Sequence, residues 1–371
     1  MKIDSIEVYY VELPLIYPWR TAYGEDSVIH SVLIKVTSGD HVGWGETTPF
    51  YAPTYSPETA MSAYYCIKEF FAPSIVGAEL DTADEVNRRI AIFKGNTFAK
   101  GGIETAWWML SAAMQNKPLH ELLGGTRKVV EAGADYGVQD SIDMLLEKIE
   151  GALNAGFKRV KLKARPGWDL DMLKAVRSTF PNATFHIDCN SGYTLDDLPL
   201  FKEVDKMGLA MIEQPLFHTD LLDHAELQKQ LDTPVCLDES IKSVRDMEYA
   251  IKLKSCRYVN IKPGRVGGLQ NALAIHNLAL DAGIPAWVGG MLESGIGSGI
   301  CIELASLSNF VYPNDVFPSS AYYEQDLTEP EPTLNDDCTF SLSEVAGIPY
   351  KPIQERIDGV TKHHAVIRAE K

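Results

Sequence analysis

Apolar and polar positions change rhythm as the chain proceeds. Up to residue 47 they keep the short period of strands: 6–13 and 28–36 are apolar-rich runs, and Val42-Gly43-Trp44-Gly45-Glu46 follows a Ser-Gly-Asp turn. From Ser56 the period lengthens. Ser56-Pro57-Glu58 predicts a helix with proline in its first turn, continued over 60–71, and 82–92 predicts another. A third spans 102–115, with Ile103, Ala106, Trp107 and Leu110 at helical spacing, and Gly124-Gly125 stops the segment after it. Residues 1–125 therefore read as an α+β unit.

Beyond Lys128 short apolar runs alternate with amphipathic stretches. The runs are 159–163, 183–188, 209–213, 234–238, 258–262 and 285–289, and helical patterns at 170–178, 197–207, 221–229, 243–253 and 269–282 separate or follow them. Strand and helix in alternation, joined by short loops, predict an α/β fold with a parallel sheet and right-handed crossovers. Lys163, Asp188, Glu213, Asp238 and Lys262 end five successive runs, at spacings of 25, 25, 25 and 24. A period near 25 is one β/α unit, and a closed barrel gathers its strand ends on one rim. In an open sheet the same five residues would spread along an edge. A TIM-like (β/α)7β barrel over 126–320 follows, with 132–136 as its first strand and an eighth near 310–316.

Composition narrows the chemistry. The 51 Asp and Glu against 34 Lys and Arg give a net charge of −17, which opposes contact with nucleic acid or an anionic membrane. An anionic substrate would need a local cation. Six cysteines without a C-x-x-C pair argue against disulfides or structural zinc and suit a reducing compartment. The N-terminus alternates like a first strand instead of carrying a targeting signal, and no run approaches the ~20 apolar residues of a membrane span. The expected location is the cytoplasm.

Asp188, Glu213 and Asp238 come from three adjacent strands. Three carboxylates gathered without a cation repel one another, so an oxygen-liganded hard ion is expected: Mg²⁺, with Mn²⁺ as its substitute. Lys161 and Lys163 lie two apart on one strand, about 7 Å along it, and share the interior face. Burial and mutual repulsion should lower the pKa of at least one, which makes Lys163 a candidate base. Lys262 arrives from the far side of the carboxylates. Two lysines facing each other across a metal suit removal of a proton α to a carboxylate, where the charge that develops needs stabilisation.

The motifs Lys161-Leu162-Lys163, Asp188-Cys189-Asn190, Glu213-Gln214-Pro215, Asp238-Glu239-Ser240 and Lys262-Pro263-Gly264 resemble those of the enolase superfamily, muconate lactonizing subgroup. The resemblance covers nearly the whole chain. It implies that 1–125 is a capping domain to which 321–371 returns. It further implies that Asp188, Glu213 and Asp238 bind Mg²⁺, that Lys163 and Lys262 are the acid/base pair, and that Lys161, Asn190 and Glu239 support them. Residues 260–268 and 289–295, with Gly264, Gly290, Met291 and Glu293, resemble o-succinylbenzoate synthases and their relatives, the N-acylamino acid racemases. Pro18-Trp19-Arg20-Thr21 and 49–55 resemble that group's cap loops, which places Arg20, Tyr51 and Tyr55 among the substrate-binding candidates. Asp135 departs from the small or hydroxyl residue expected there and would disfavour an anionic tail.

What the resemblance implies is a small-molecule carboxylate substrate, with dehydration to o-succinylbenzoate first and N-succinylamino acid racemisation second. Dipeptide epimerisation, muconate cycloisomerisation and a non-catalytic barrel rank lower, and oligomeric state is left open. His186, two residues before Asp188, reads as a core histidine, and Trp107-Trp108 as packing of the cap.

Overall fold

A computed structural model describes residues 1–369. Strands β1 (Ser5–Arg20), β2 (Glu25–Ser38) and β3 (His41–Thr47) form an antiparallel meander. The strand Thr361–Arg368 completes the sheet by pairing with β1, Ser5 opposite Arg368. The helix Thr97–Gln115 lies directly on β3, and this contact explains the glycines there. A Cβ on Gly43 would stand 2.2 Å from the Ala106 carbonyl oxygen, and one on Gly45 2.4 Å from that of Gly102.

One expected boundary moves. The first helix begins at Ala60, with Thr59 as its N-cap in a reciprocal capping box with Ser62, so Ser56-Pro57-Glu58 is loop. Glu58 serves a different helix. Its carboxylate accepts from the amides of Phe98 and Ala99 at 2.9 and 3.0 Å, capping Thr97–Gln115.

After β4 (Val129–Glu131), the strands β5 (Ala134–Tyr136), β6 (Val160–Lys163), β7 (Phe185–Asp188), β8 (Ile212–Glu213), β9 (Val235–Leu237), β10 (Tyr258–Ile261) and β11 (Ala286–Val288) pair in chain order as one parallel sheet. The sheet closes through the expected eighth segment. Phe310 bridges Ala286, Asn314 bridges Ala132, and the Asp315 amide donates to Val288 O at 2.9 Å. The fold is thus the α/β architecture read from the sequence, a (β/α)7β barrel beside an antiparallel cap. Serine N-caps at Ser141 and Ser243 start two of the crossover helices, and Gly156, at φ +104°, ends the first of them. No described helix is long and apolar enough to cross a membrane.

Two buried glutamates join cap to barrel. Glu46 of β3 accepts from the amides of Ser294 and Gly297, at 3.1 and 2.9 Å, at the start of the helix Gly295–Leu304. Glu104 accepts from the amides of Leu269 and Gln270, at 2.7 and 2.9 Å, at the start of Leu269–Asp281. Each meets a helix's unsatisfied N–H groups and the positive end of its dipole.

Candidate active site

Parallel pairing puts Lys163 opposite Asp188, and Asp188 opposite Glu213, with Asp238 and Lys262 just past the ends of β9 and β10. All five side chains are buried. Lys163 Nζ donates to Asp188 Oδ2 at 2.7 Å. Lys161, two residues earlier on the same face, lies 3.0 Å from Asp188 Oδ2, 2.9 Å from Glu213 Oε2 and 2.9 Å from Asp315 Oδ2. On the opposite side Lys262 Nζ stands 3.1 Å from Asp238 Oδ2, while Arg265 pairs with Asp238 Oδ1.

These contacts set the charges. Burial pulls Lys161 down, but Asp188, Asp315 and Glu213 outweigh it and hold its pKa well above the ordinary lysine value. The lowering expected for a crowded lysine pair is therefore reversed at Lys161, because the carboxylates around it outnumber its lysine neighbour. Burial likewise pushes Asp188 up, yet Lys161 and Lys163 hold it far below the carboxylate range. At Lys262 burial is overcome chiefly by Tyr55, and the pKa rises.

Lys161, Lys163, Asn190 and Lys262 line one small cavity of about 40 Å³ together with Tyr55, Asp135, Gly290 and Met291. Asp135 is half-buried, and its Oδ1 is enclosed without a hydrogen-bond partner. Burial raises it to about 6 against the pull of Lys163 and Lys161. Trp19 and Asp135 also border an outer cleft of about 160 Å³, and it is this cleft that Arg20 lines.

Four candidates lie elsewhere. The Arg20 guanidinium is held by Glu25 at 2.6 Å and Asp140 at 2.5 Å instead of facing the lysines. Tyr51 is exposed and rests on His30. Gly264 faces Phe98, where a Cβ would come within 2.9 Å of the ring. Glu293 turns back to accept from the Met291 amide at 2.7 Å. His186 is the expected core histidine, 3.0 Å from the Tyr312 hydroxyl.

The donor set suits a hard divalent ion: three carboxylates at adjacent strand ends, all oxygen. Glu213 Oε2 and Asp238 Oδ2 are buried with only ion-pair neighbours, Lys161 at 2.9 Å and Lys262 at 3.1 Å among them, and make no well-aligned hydrogen bond; Glu239 Oε2 is buried without a hydrogen-bond partner. In this arrangement the carboxylates are turned toward lysine and arginine, and no group of three His, Cys, Asp or Glu among the described residues converges as a metal cluster. The residues fit the ion by chemistry and by strand position.

Several neighbours were not singled out from the sequence. Asn260 donates to Glu213 Oε1 at 2.8 Å. It precedes Lys262 by two and shares its face, so the parity that linked Lys161 to Lys163 would have found it. Asp315 holds Lys161 and pairs with the buried Arg159 at 2.8 Å. It lies on the closing segment, which makes only isolated bridges and has too little strand pattern to point to a side chain. Tyr23, in a loop without periodicity, donates to Glu239.

Known proteins match this geometry along almost the whole chain. Residues 5–124 match the N-terminal domain of mandelate racemase/muconate lactonizing enzymes, and 144–350 match the enolase C-terminal domain-like family. The chain is 39% identical to an o-succinylbenzoate synthase of Geobacillus kaustophilus, over 98% of this chain and 96% of the other. It is 41% identical to an N-succinylamino acid racemase of Thermus thermophilus, over 89% of each. A solved enolase-superfamily structure from Listeria innocua superposes with a TM-score of 0.94 at 35% identity, covering 99% of both chains. The chain belongs to the mandelate racemase/muconate lactonizing enzyme family of the enolase superfamily, a family of enzymes.

Proposed function

We propose that the chain removes the proton α to a carboxylate, and that its reaction is that of an o-succinylbenzoate synthase: syn dehydration of 2-succinyl-6-hydroxy-2,4-cyclohexadiene-1-carboxylate. The supporting observation is that Lys163 and Lys262, at the ends of β6 and β10, line one small cavity, each against a carboxylate of the rim. Lys163 takes the α-proton, which breaks the C–H bond. Lys262 stays cationic and faces the charge that develops. As the C–O bond breaks, the departing hydroxide takes the proton from Lys163 and leaves as water.

Asp188, Glu213 and Asp238 would hold Mg²⁺, which when bound supplies positive charge against the negative charge growing on the substrate carboxylate. Lys161 and Asn190 keep Asp188 in place, and Glu239 holds Asn190. Cap loops and barrel together exclude water. In this reading 1–125 and 321–371 form the cap and 126–320 the catalytic barrel. The free cysteines fit a reducing, cytoplasmic setting.

Racemisation of N-succinylamino acids is the second reading, supported by the relative from Thermus thermophilus. There Lys163 and Lys262 exchange protons on opposite faces of the α-carbon. Lys163→Ala should lower dehydration by about 10²–10⁴-fold with the fold intact by circular dichroism; retention of most activity would remove Lys163 from the role. N-succinylamino acids incubated in D₂O separate the readings, since a racemase incorporates α-deuterium and a synthase that cannot racemise leaves the α-hydrogen in place.

A further inference from the structure

We propose that Tyr23 and Tyr55, one on each of two cap loops, are positioning residues that make loop closure and divalent-cation binding on the rim a single linked equilibrium. This rests on the assignment of Asp188, Glu213 and Asp238 as the cation's ligands.

The cavity of about 40 Å³ has room for a few waters, far below the roughly 300 Å³ and more of small-molecule sites. Its outer wall includes Trp19 at the end of β1, Tyr23 from the turn that follows it, and Phe50 and Tyr55 from the irregular loop after β3. A hydrated ion or a carboxylate substrate reaches the lysines only if these loops move away.

Both loops end on the carboxylates. The Tyr55 hydroxyl donates to Asp238 Oδ1 at 3.0 Å and accepts from Arg265 at 3.1 Å, while its ring lies 4.6 Å beneath the Lys262 ammonium. With Oδ1 occupied, Oδ2 is the oxygen left without a hydrogen bond on the side of Lys262. Tyr23 acts through a relay. Its hydroxyl donates to Glu239 Oε1, and Asn190 Nδ2 spans Glu239 Oε1 at 3.4 Å and Asp188 Oδ2 at 3.2 Å. Asn190 and Ser191 sit at φ +43° and +62°, a left-handed pair uncommon for non-glycine residues, and this turn aims the amide at the relay. The two rings meet edge-on at 6.3 Å, so the loops also pack on each other.

A carboxylate oriented in advance loses less freedom when it takes up a cation. Closed loops orient Asp238 and Asp188, so the cation binds the closed form more tightly. By reciprocity it favours closure by the same factor.

Calorimetric titration of the full chain with Mg²⁺, paired with amide exchange of residues 18–24 and 48–58, tests this. Mg²⁺ should slow exchange in both loops of the wild type. Tyr55→Phe, which keeps the ring, should weaken Mg²⁺ by about 10-fold, the scale of one hydrogen bond to a charged group. It should also abolish the Mg²⁺-induced protection of 48–58. Tyr23→Phe, acting through the relay, should weaken Mg²⁺ by about 3-fold and release 18–24. Wild-type affinity with full Mg²⁺-induced protection in both variants overturns the proposal, as does a wild type whose loops ignore Mg²⁺. Glu213→Gln contacts neither tyrosine and identifies which idea failed. If it leaves Mg²⁺ binding unchanged, the ligand assignment falls and the inference with it. If it abolishes binding while both tyrosine variants behave as wild type, only the linkage falls.

Discussion

The rim of the barrel and the seam between barrel and cap both bury carboxylates, and they hold them by opposite means. At the rim Asp188, Glu213 and Asp315 face lysines and an arginine, and each titrates below its ordinary range despite burial. At the seam Glu46 and Glu104 face helix N-termini, and burial raises both to about 7 although several donors pull the other way. Full opposite charges overcome desolvation, whereas partial charges on backbone N–H groups offset only part of it. These three carboxylates stay ionised, whereas Glu239 beside them is pushed up to about 7 by burial and by the charge of Asp188. The seam sits close to neutral pH.

The sharpest way to break this contrast is Asp315→Ala. It leaves Arg159 and Lys161 buried without their shared partner and should cost about 3–5 kcal/mol, read from the midpoint of urea unfolding. A loss no larger than that of a seam substitution would mean that the remaining carboxylates suffice.

Next in size is the pH response of the seam. A glutamate at about 7 in the folded protein, against 4.5 unfolded, keeps its proton on folding where the unfolded chain has released it. Its contribution is therefore full below about 4.5 and is lost as pH rises through 7. Glu104→Gln fixes the neutral form, so the variant should gain on wild type from pH 5 to 8, by on the order of 3 kcal/mol. Thermal melts across that range measure the difference, and parallel curves would refute it.

Asp135 belongs to neither class, because its enclosed oxygen has no partner. Asp135→Asn should change stability by less than about 1 kcal/mol. It should also raise kcat/KM for succinyl substrates relative to neutral acyl ones by about 10-fold, as one repulsive charge is removed. An unchanged ratio would take Asp135 out of substrate selection.

The rim was legible and the seam was not, for a physical reason. Strand-end residues repeat at the length of one β/α unit, and parity assigns them to the interior, so Lys163, Asp188, Glu213, Asp238 and Lys262 are gathered by spacing alone. Glu46 and Glu104 meet backbone amides some 165 to 250 residues away, and a backbone amide has no residue type to read. Glu46 in particular ends a strand pattern that offers no sign of its partner. Asp315 escaped because the barrel closes there through bridges alone. Arg20 and Tyr51 were placed by loop resemblance, which fixes neighbourhood and leaves side-chain direction to local partners such as Asp140 and His30.

The pairing of β1 with Thr361–Arg368 has a consequence for synthesis. Residues 5–11 leave the ribosome some 350 residues ahead of the strand that covers their outer edge, roughly 20–70 s at ordinary translation rates. During that time the barrel strands emerge in the order in which they pair, while β1 offers an open edge to any other nascent chain. A circular permutant that makes Thr361–Arg368 just before β1 would shorten the exposure to about a second, and co-translational aggregation should fall with it.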